Sequence, residues 1–163
     1  MSKTAKRRKI LAIIFYILTV AATVYIIFNG AQSGPDSSAR SEKITEVVEV
    51  PLDKMEIKYK HETVSHYVRK TAHFTEYFAL AFVFAAATFF TFKKKFIPAV
   101  AVEIYCAVLA FFDEFYLQKG AHSRSPQFTD VLIDASGALI AILLVALCFY
   151  IGKKRREKKK KEQ

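Results

Sequence analysis

The sequence predicts an all-α, polytopic membrane protein: a four-transmembrane-helix bundle with both termini on the cytoplasmic side (N-in/C-in). Three observations carry this. Of 163 residues, 53% are hydrophobic although 25% are charged, and the mean hydropathy is +0.19, so charge and apolarity must be segregated along the chain. Four apolar runs, residues 10–28, 72–92, 96–117 and 129–151, each have roughly the 20-residue length that crosses a hydrocarbon core of about 30 Å. Basic clusters at residues 3–9, 93–95 and 153–161 abut these runs. Lys and Arg are retained on the cytoplasmic side, and four spans place all three clusters there without conflict.

Residues 1–9 form a basic flank and residues 10–28 the first span. A secretory signal peptide is the competing reading, but its apolar core usually runs only about 7 to 15 residues, and Asn29-Gly30-Ala31-Gln32 is a poor cleavage site. Residues 29–67 are polar and open with the turn formers Gly30, Ser33, Gly34 and Pro35, which end the first helix. Within them Ile44, Val47 and Val48 follow a candidate cap at Ser38 or Ser41, which predicts one short amphipathic helix on the membrane surface, stopped by Pro51. Residues 52–59 alternate weakly and are expected to be extended. The second span, residues 72–92, ends at Lys93-Lys94-Lys95. The third, 96–117, carries Pro98 in its first turn, where proline is tolerated. A loop at 118–128 leads to the fourth, 129–151, and residues 152–163 are read as a disordered cytoplasmic tail.

A net charge of +10 would suggest nucleic acid in a soluble chain, but here the excess flanks apolar runs, and no aromatic-basic interleaving or zinc spacing accompanies it. Nucleic acid is therefore not an expected partner; the lipid bilayer is. Cys106 and Cys148 each stand alone in an apolar run, which argues against a disulfide framework or a metal knuckle.

The chemistry gathers at the outer ends of the last three spans. Charged groups at membrane depth cost about 2.5 to 3.5 kcal/mol at a helix centre, so they pair or mark a site. At 100° per residue, Arg69, His73 and Glu76 share one helix face, and Asp130, Asp134 and Gly137 share another. Glu114 and Gln118 share a third, Asp113 adjoins it, and Arg124 closes the cluster from the loop. His73, Glu76, Asp113 and Glu114 are the candidate catalytic groups. Arg69, Lys70, Gln118, Arg124, Asp130 and Asp134 are the candidate substrate-binding ones.

Helix dipoles favour acids at a helix start, so Asp130 can be read as a simple cap. Arg69 and Lys70 have the wrong sign for a start, and Asp113 and Glu114 the wrong sign for an end, which predicts an ion pair between these two sets. Glu76, Asp113, Glu114, Asp130 and Asp134 against Arg69, Lys70 and Arg124 leave two negatives to be balanced by a protonated His73, shared protons or a bound cation. His73, Glu76 and Asp134 suggest a divalent ion, but neither the two-histidine zinc motif nor a calcium loop is present, so no metal and no specific cofactor is assigned. Glu103 stands apart, midway along the third span.

The stretch Arg69-Lys70-Thr71-Ala72-His73-Phe74-Thr75-Glu76-Tyr77, followed by Asp113-Glu114 with Gln118, then Arg124, Asp130 and Asp134-Ala135-Ser136-Gly137, resembles the VanZ-like family of bacterial membrane proteins over residues 29–144. The resemblance implies a multi-pass protein of the bacterial cytoplasmic membrane, in a family whose named member is associated with teicoplanin resistance. It supplies no reaction. Three functions are compatible with it: binding or modulation of a lipid-linked cell-wall precursor or lipoglycopeptide at the outer face, acid-base catalysis on such a molecule, or a structural scaffold whose polar cluster specifies helix packing.

Overall fold

A computed structural model describes residues 3–32, 34–117 and 126–162. Five helices follow one another: α1 (Lys3–Gly30), α2 (Gly34–Lys54), α3 (His61–Thr91), α4 (Phe96–Phe112) and α5 (Phe128–Lys161). A five-residue π-helical segment, Asp113–Leu117, extends α4. Four stretches, Ala5–Gly30, His61–Thr91, Phe96–Leu117 and Phe128–Lys159, are long and apolar enough to cross a membrane. The all-α, four-span architecture expected from the sequence is present, with no strand among the described residues.

The centre of the bundle is α3, which packs against α1, α2, α4 and, most extensively, α5. Lipid tails are as apolar as leucine, so helices in a bilayer associate through close packing rather than hydrophobic exclusion, and small residues mark their crossings. Accordingly the buried core carries Ala81, Ala85 and Ala86 of α3 with Ala138 and Ala141 of α5. At Gly137 a Cβ would stand 2.5 Å from the Phe74 carbonyl oxygen, so only glycine allows this approach of α5 to α3. Large apolar side chains point outward instead: Ile13, Ile17, Val20 and Phe28 of α1 are exposed, as a lipid-facing surface requires. Hydroxyls inside the apolar helices bond back to their own backbone, Thr19 to the Phe15 carbonyl at 2.8 Å and Thr91 to that of Ala87 at 2.9 Å, which removes the cost of carrying them there.

The basic flanks meet at one end. Arg8 donates to the Phe90 carbonyl at 3.3 Å, and the Lys95 ammonium caps the carbonyls of Phe89 and Phe92 while lying 5.4 Å from the ring centres of Phe89 and Phe149. Burial lowers the Lys95 pKa, and the nearby Arg8 charge adds to this.

Residues 29–67 differ most from expectation. Instead of a short helix ended by Pro51, α2 spans 21 residues with Pro51 inside it. Proline removes one hydrogen bond, but here it stands in the final turn, and the end is fixed by other means. Ile57 N–H donates to the Leu52 carbonyl at 3.1 Å and Glu56 N–H to that of Asp53 at 3.0 Å, the paired bonds of a Schellman ending. Glu56 takes the left-handed conformation this ending needs, with φ 55°. Residues 52–54 are therefore helical rather than extended, and only 57–60 form an irregular connection. Tyr59 donates to Asp53 at 2.7 Å, a bond that pushes the phenol up to about 12. His61 lies between Glu42 at 2.9 Å and Glu49 at 2.8 Å, pinning α2 to the start of α3. Since α3 begins at His61 and not near Ala72, its first turns extend beyond the expected span and give α2 a partner.

The tail also differs. Helix α5 continues unbroken through the basic residues to Lys161, where a disordered segment was expected. Lys153 with Glu157 at 3.7 Å and Lys158 with Glu162 at 3.9 Å supply pairs one turn apart, which support helix in an otherwise self-repelling run.

Candidate functional site

At the end of the bundle away from the basic clusters, α1, α2, α3, α5 and the π-helical segment line a partly open polar cavity of about 370 Å³. Arg69, Lys70, His73, Glu76, Asp113, Glu114 and Asp130 all line it, and Asp134 stands behind His73. Gln118 and Arg124, also expected at the site, lie outside the described residues.

Each acid has a definite setting. Asp113 and Glu114 fall in the π-helical segment, which turns both consecutive carboxylates inward, leaving them 3% and 2% exposed. Wider turns of this kind recur at functional sites. Glu114 Oε1 accepts the Gln127 N–H at 2.7 Å, which ties the start of α5 to the end of α4. Asp113 packs against Gly30 of α1, where its carboxylate fills the space a Cβ would need. Asp134, 1% exposed, brings Oδ1 to 3.5 Å from His73 Nδ1. Its Oδ2 and the fully buried Tyr77 hydroxyl have no hydrogen-bond partner among the described residues.

The expected ion pair takes a different partner. Lys70 pairs with Asp130 of α5 and also donates to Gln127 Oε1 at 3.3 Å, instead of meeting Asp113 or Glu114. The reason is packing: α3 makes its closest approach to α5, so one face carrying Lys70, His73 and Phe74 meets Asp130, Asp134 and Gly137 in turn. Asp130 stands in the first turn of α5, where the helix dipole favours an acid, and also serves Lys70, while the N-cap position is held by Gln127 without a side-chain bond. The same register gives His73 a carboxylate neighbour in Asp134, while Glu76 turns to α1.

That turn reveals two residues the sequence reading missed. Asn29 donates to Glu76 Oε1 at 3.0 Å and accepts from Arg40 at 3.1 Å, forming a relay from α2 through α1 to α3. Neither is assigned a role by the sequence alone; an amide directly after nineteen charge-free positions was the available signal. No group of three His, Cys, Asp or Glu side chains is arranged to hold a metal ion among the described residues.

The VanZ/LLP1 family profile matches residues 13–149. The chain belongs to the VanZ/LLP1 family. The match begins at residue 13, within α1, and so reaches further toward the amino end than the resemblance over residues 29–144; α1 supplies Asn29 and Gly30 to the cavity. No curated protein and no solved structure matches this chain of the VanZ/LLP1 family. Family and helices together describe a multi-pass membrane protein.

Proposed function

We propose that this VanZ/LLP1 protein binds the polar head of an amphiphilic or lipid-linked cell-envelope molecule at the outer face of the bacterial cytoplasmic membrane, and so lowers susceptibility to teicoplanin-type glycopeptides. The carrying observation is the mixed-sign cavity, with Arg40 and Arg69 beside the acids Glu76, Asp113, Glu114 and Asp130. Arginine offers planar, bidentate donors suited to phosphate or carboxylate, and the acids and His73 can receive hydroxyl or amine donors of the same head. The orientation rests on charge: the cavity lies opposite the basic clusters, which the positive-inside bias keeps cytoplasmic.

Glu76→Gln and His73→Gln test the reading when membrane abundance and teicoplanin susceptibility are measured together. Normal abundance with lost protection is expected for both, and it would exclude a purely structural scaffold. Full protection in both variants would overturn the binding reading. A catalytic reading is favoured by one observation, the buried Asp134 beside His73, an arrangement able to orient an imidazole for proton transfer. Mass spectrometry of envelope lipids and precursors, with and without the protein, separates the two: a new product marks an enzyme.

A further inference from the structure

Beside the polar cavity lies a second, larger space of about 720 Å³, lined by Ala22 and Ile26 of α1, Val48 and Leu52 of α2, and Val64 and Val68 of α3. Tyr25, Ile44, Ala72 and Glu76 line both spaces. The two therefore share a wall, polar on one side and apolar on the other. Volumes of this order, roughly 300 to 1,000 Å³, are those of ligand sites.

Helix length places the groove across the membrane boundary. The 31 residues of α3 extend to about 46 Å at 1.5 Å per residue, well beyond a hydrocarbon core of about 30 Å. Counted from Thr91 beside the basic turn, the core ends close to Ala72. Thr75 and Ala79 then face the groove from within the core, while Val64, Tyr67 and Val68 face it from beyond. The outer half is roofed only in part by α2, where Val48 is 39% exposed and Tyr67 opposite is 67% exposed. Two polar groups of the wall are engaged within the protein: the Thr75 hydroxyl donates to the Thr71 carbonyl at 2.7 Å and Glu76 Oε1 accepts from Asn29 at 3.0 Å.

We propose that this groove takes a hydrocarbon chain of a membrane amphiphile, lifted out of the leaflet under α2, while its anionic head lies on Arg40 and Arg69 in the adjoining cavity. The inference rests on the headgroup reading above and adds the substrate class: an anionic lipid with a flexible chain. Within the bilayer a chain gains little by exchanging lipid for protein. Beyond the boundary it covers apolar wall that water would otherwise touch, so the outer half of the groove supplies the attraction. The choice among lipids falls to the head. Arg69 is exposed on the cavity and makes no ion pair with a described residue, which leaves its charge for an anion.

The chain contains no tryptophan, so Tyr67→Trp gives one indole reporter placed beyond the hydrocarbon boundary. The full-length variant is reconstituted in phosphatidylglycerol vesicles with brominated or ordinary chains, and in phosphatidylcholine vesicles of both kinds. Loss of indole emission in brominated phosphatidylglycerol, with little loss in brominated phosphatidylcholine, is expected. Adding Val68→Phe, with helix content checked by circular dichroism, should restore emission by filling the groove. Unchanged emission in brominated phosphatidylglycerol overturns the chain site, and equal loss in both lipids overturns selection of an anionic head. Lost teicoplanin protection in Glu76→Gln without quenching would leave the polar cavity standing and remove the groove. Quenching alongside full protection in Glu76→Gln and His73→Gln would do the reverse.

Discussion

Lys70 and Asp130 are 17% and 15% exposed in their pair, too far from water for either charge to be comfortable alone. Removing one partner leaves the other half-buried without its counterion, at a cost of about 1–3 kcal/mol. Lys70→Met and Asp130→Asn should each lower the thermal midpoint of the detergent-solubilised protein. The exchanged pair, Lys70→Asp with Asp130→Lys, should regain most of the loss; failure to do so would deny the pair a stabilising role. Gly137 sets a stricter demand, since the Phe74 carbonyl is backbone and cannot swing aside. Gly137→Ala should cost about 1–3 kcal/mol by overpacking, read as a lower midpoint with α3 and α5 forced apart. That ionisable residues near Arg69 and Asp134 gather at one place was legible in the sequence, because charge in apolar helices needs partners. Which partner each one takes was not. Helix-dipole signs pointed Lys70 toward Asp113 and Glu114 at the end of α4, whereas the glycine crossing at Phe74 brings it to Asp130 of α5.

Among the elements, α2 was the least legible from sequence. Its polar positions and Pro51 argue for a short helix when read locally, whereas the buried Thr45 and Val64 show that it exists through packing on the outer turns of α3. Its carboxyl end carries a correctable defect. Glu56 holds φ 55°, a conformation that costs a side-chain-bearing residue about 1 kcal/mol or more and glycine almost nothing. Glu56→Gly should therefore raise the thermal midpoint, or at least leave it unchanged, and slow proteolysis between α2 and α3. A lowered midpoint would mean that the Glu56 side chain makes a contribution larger than the strain. The four spans were legible for the opposite reason: runs of about twenty apolar residues need no tertiary information to be recognised. The helical tail of α5 was hidden because alternating partners such as Lys153 and Glu157 lie inside a run that reads as uniformly basic.

At the scale of the molecule, charge is sorted by end. The basic flanks of α1, α3 and α5 lie together, with Arg8 touching the last turn of α3, and the cavity occupies the other end. Positive-inside bias then predicts a definite labelling pattern. In a Cys106→Ala, Cys148→Ala background, Thr63→Cys should react with a membrane-impermeant thiol reagent on intact cells. Lys158→Cys should react only after permeabilisation. The reverse pattern would put the cavity in the cytoplasm and end the proposed encounter with extracellular glycopeptides.

The dependence of the cavity on Asn29, on Lys70 and on Asp130 also fixes when it can exist. A chain emerges from the ribosome amino end first, so α1 is in the bilayer before α3 is present to receive it. Arrival of α3 gives Asn29 its Glu76, yet Lys70 and His73 must wait through the insertion of α4 for the acids of α5. Biogenesis thus passes through a stage in which α1, α3 and α4 are present while Lys70 still lacks Asp130 and His73 lacks Asp134, and it is α5 that completes the site.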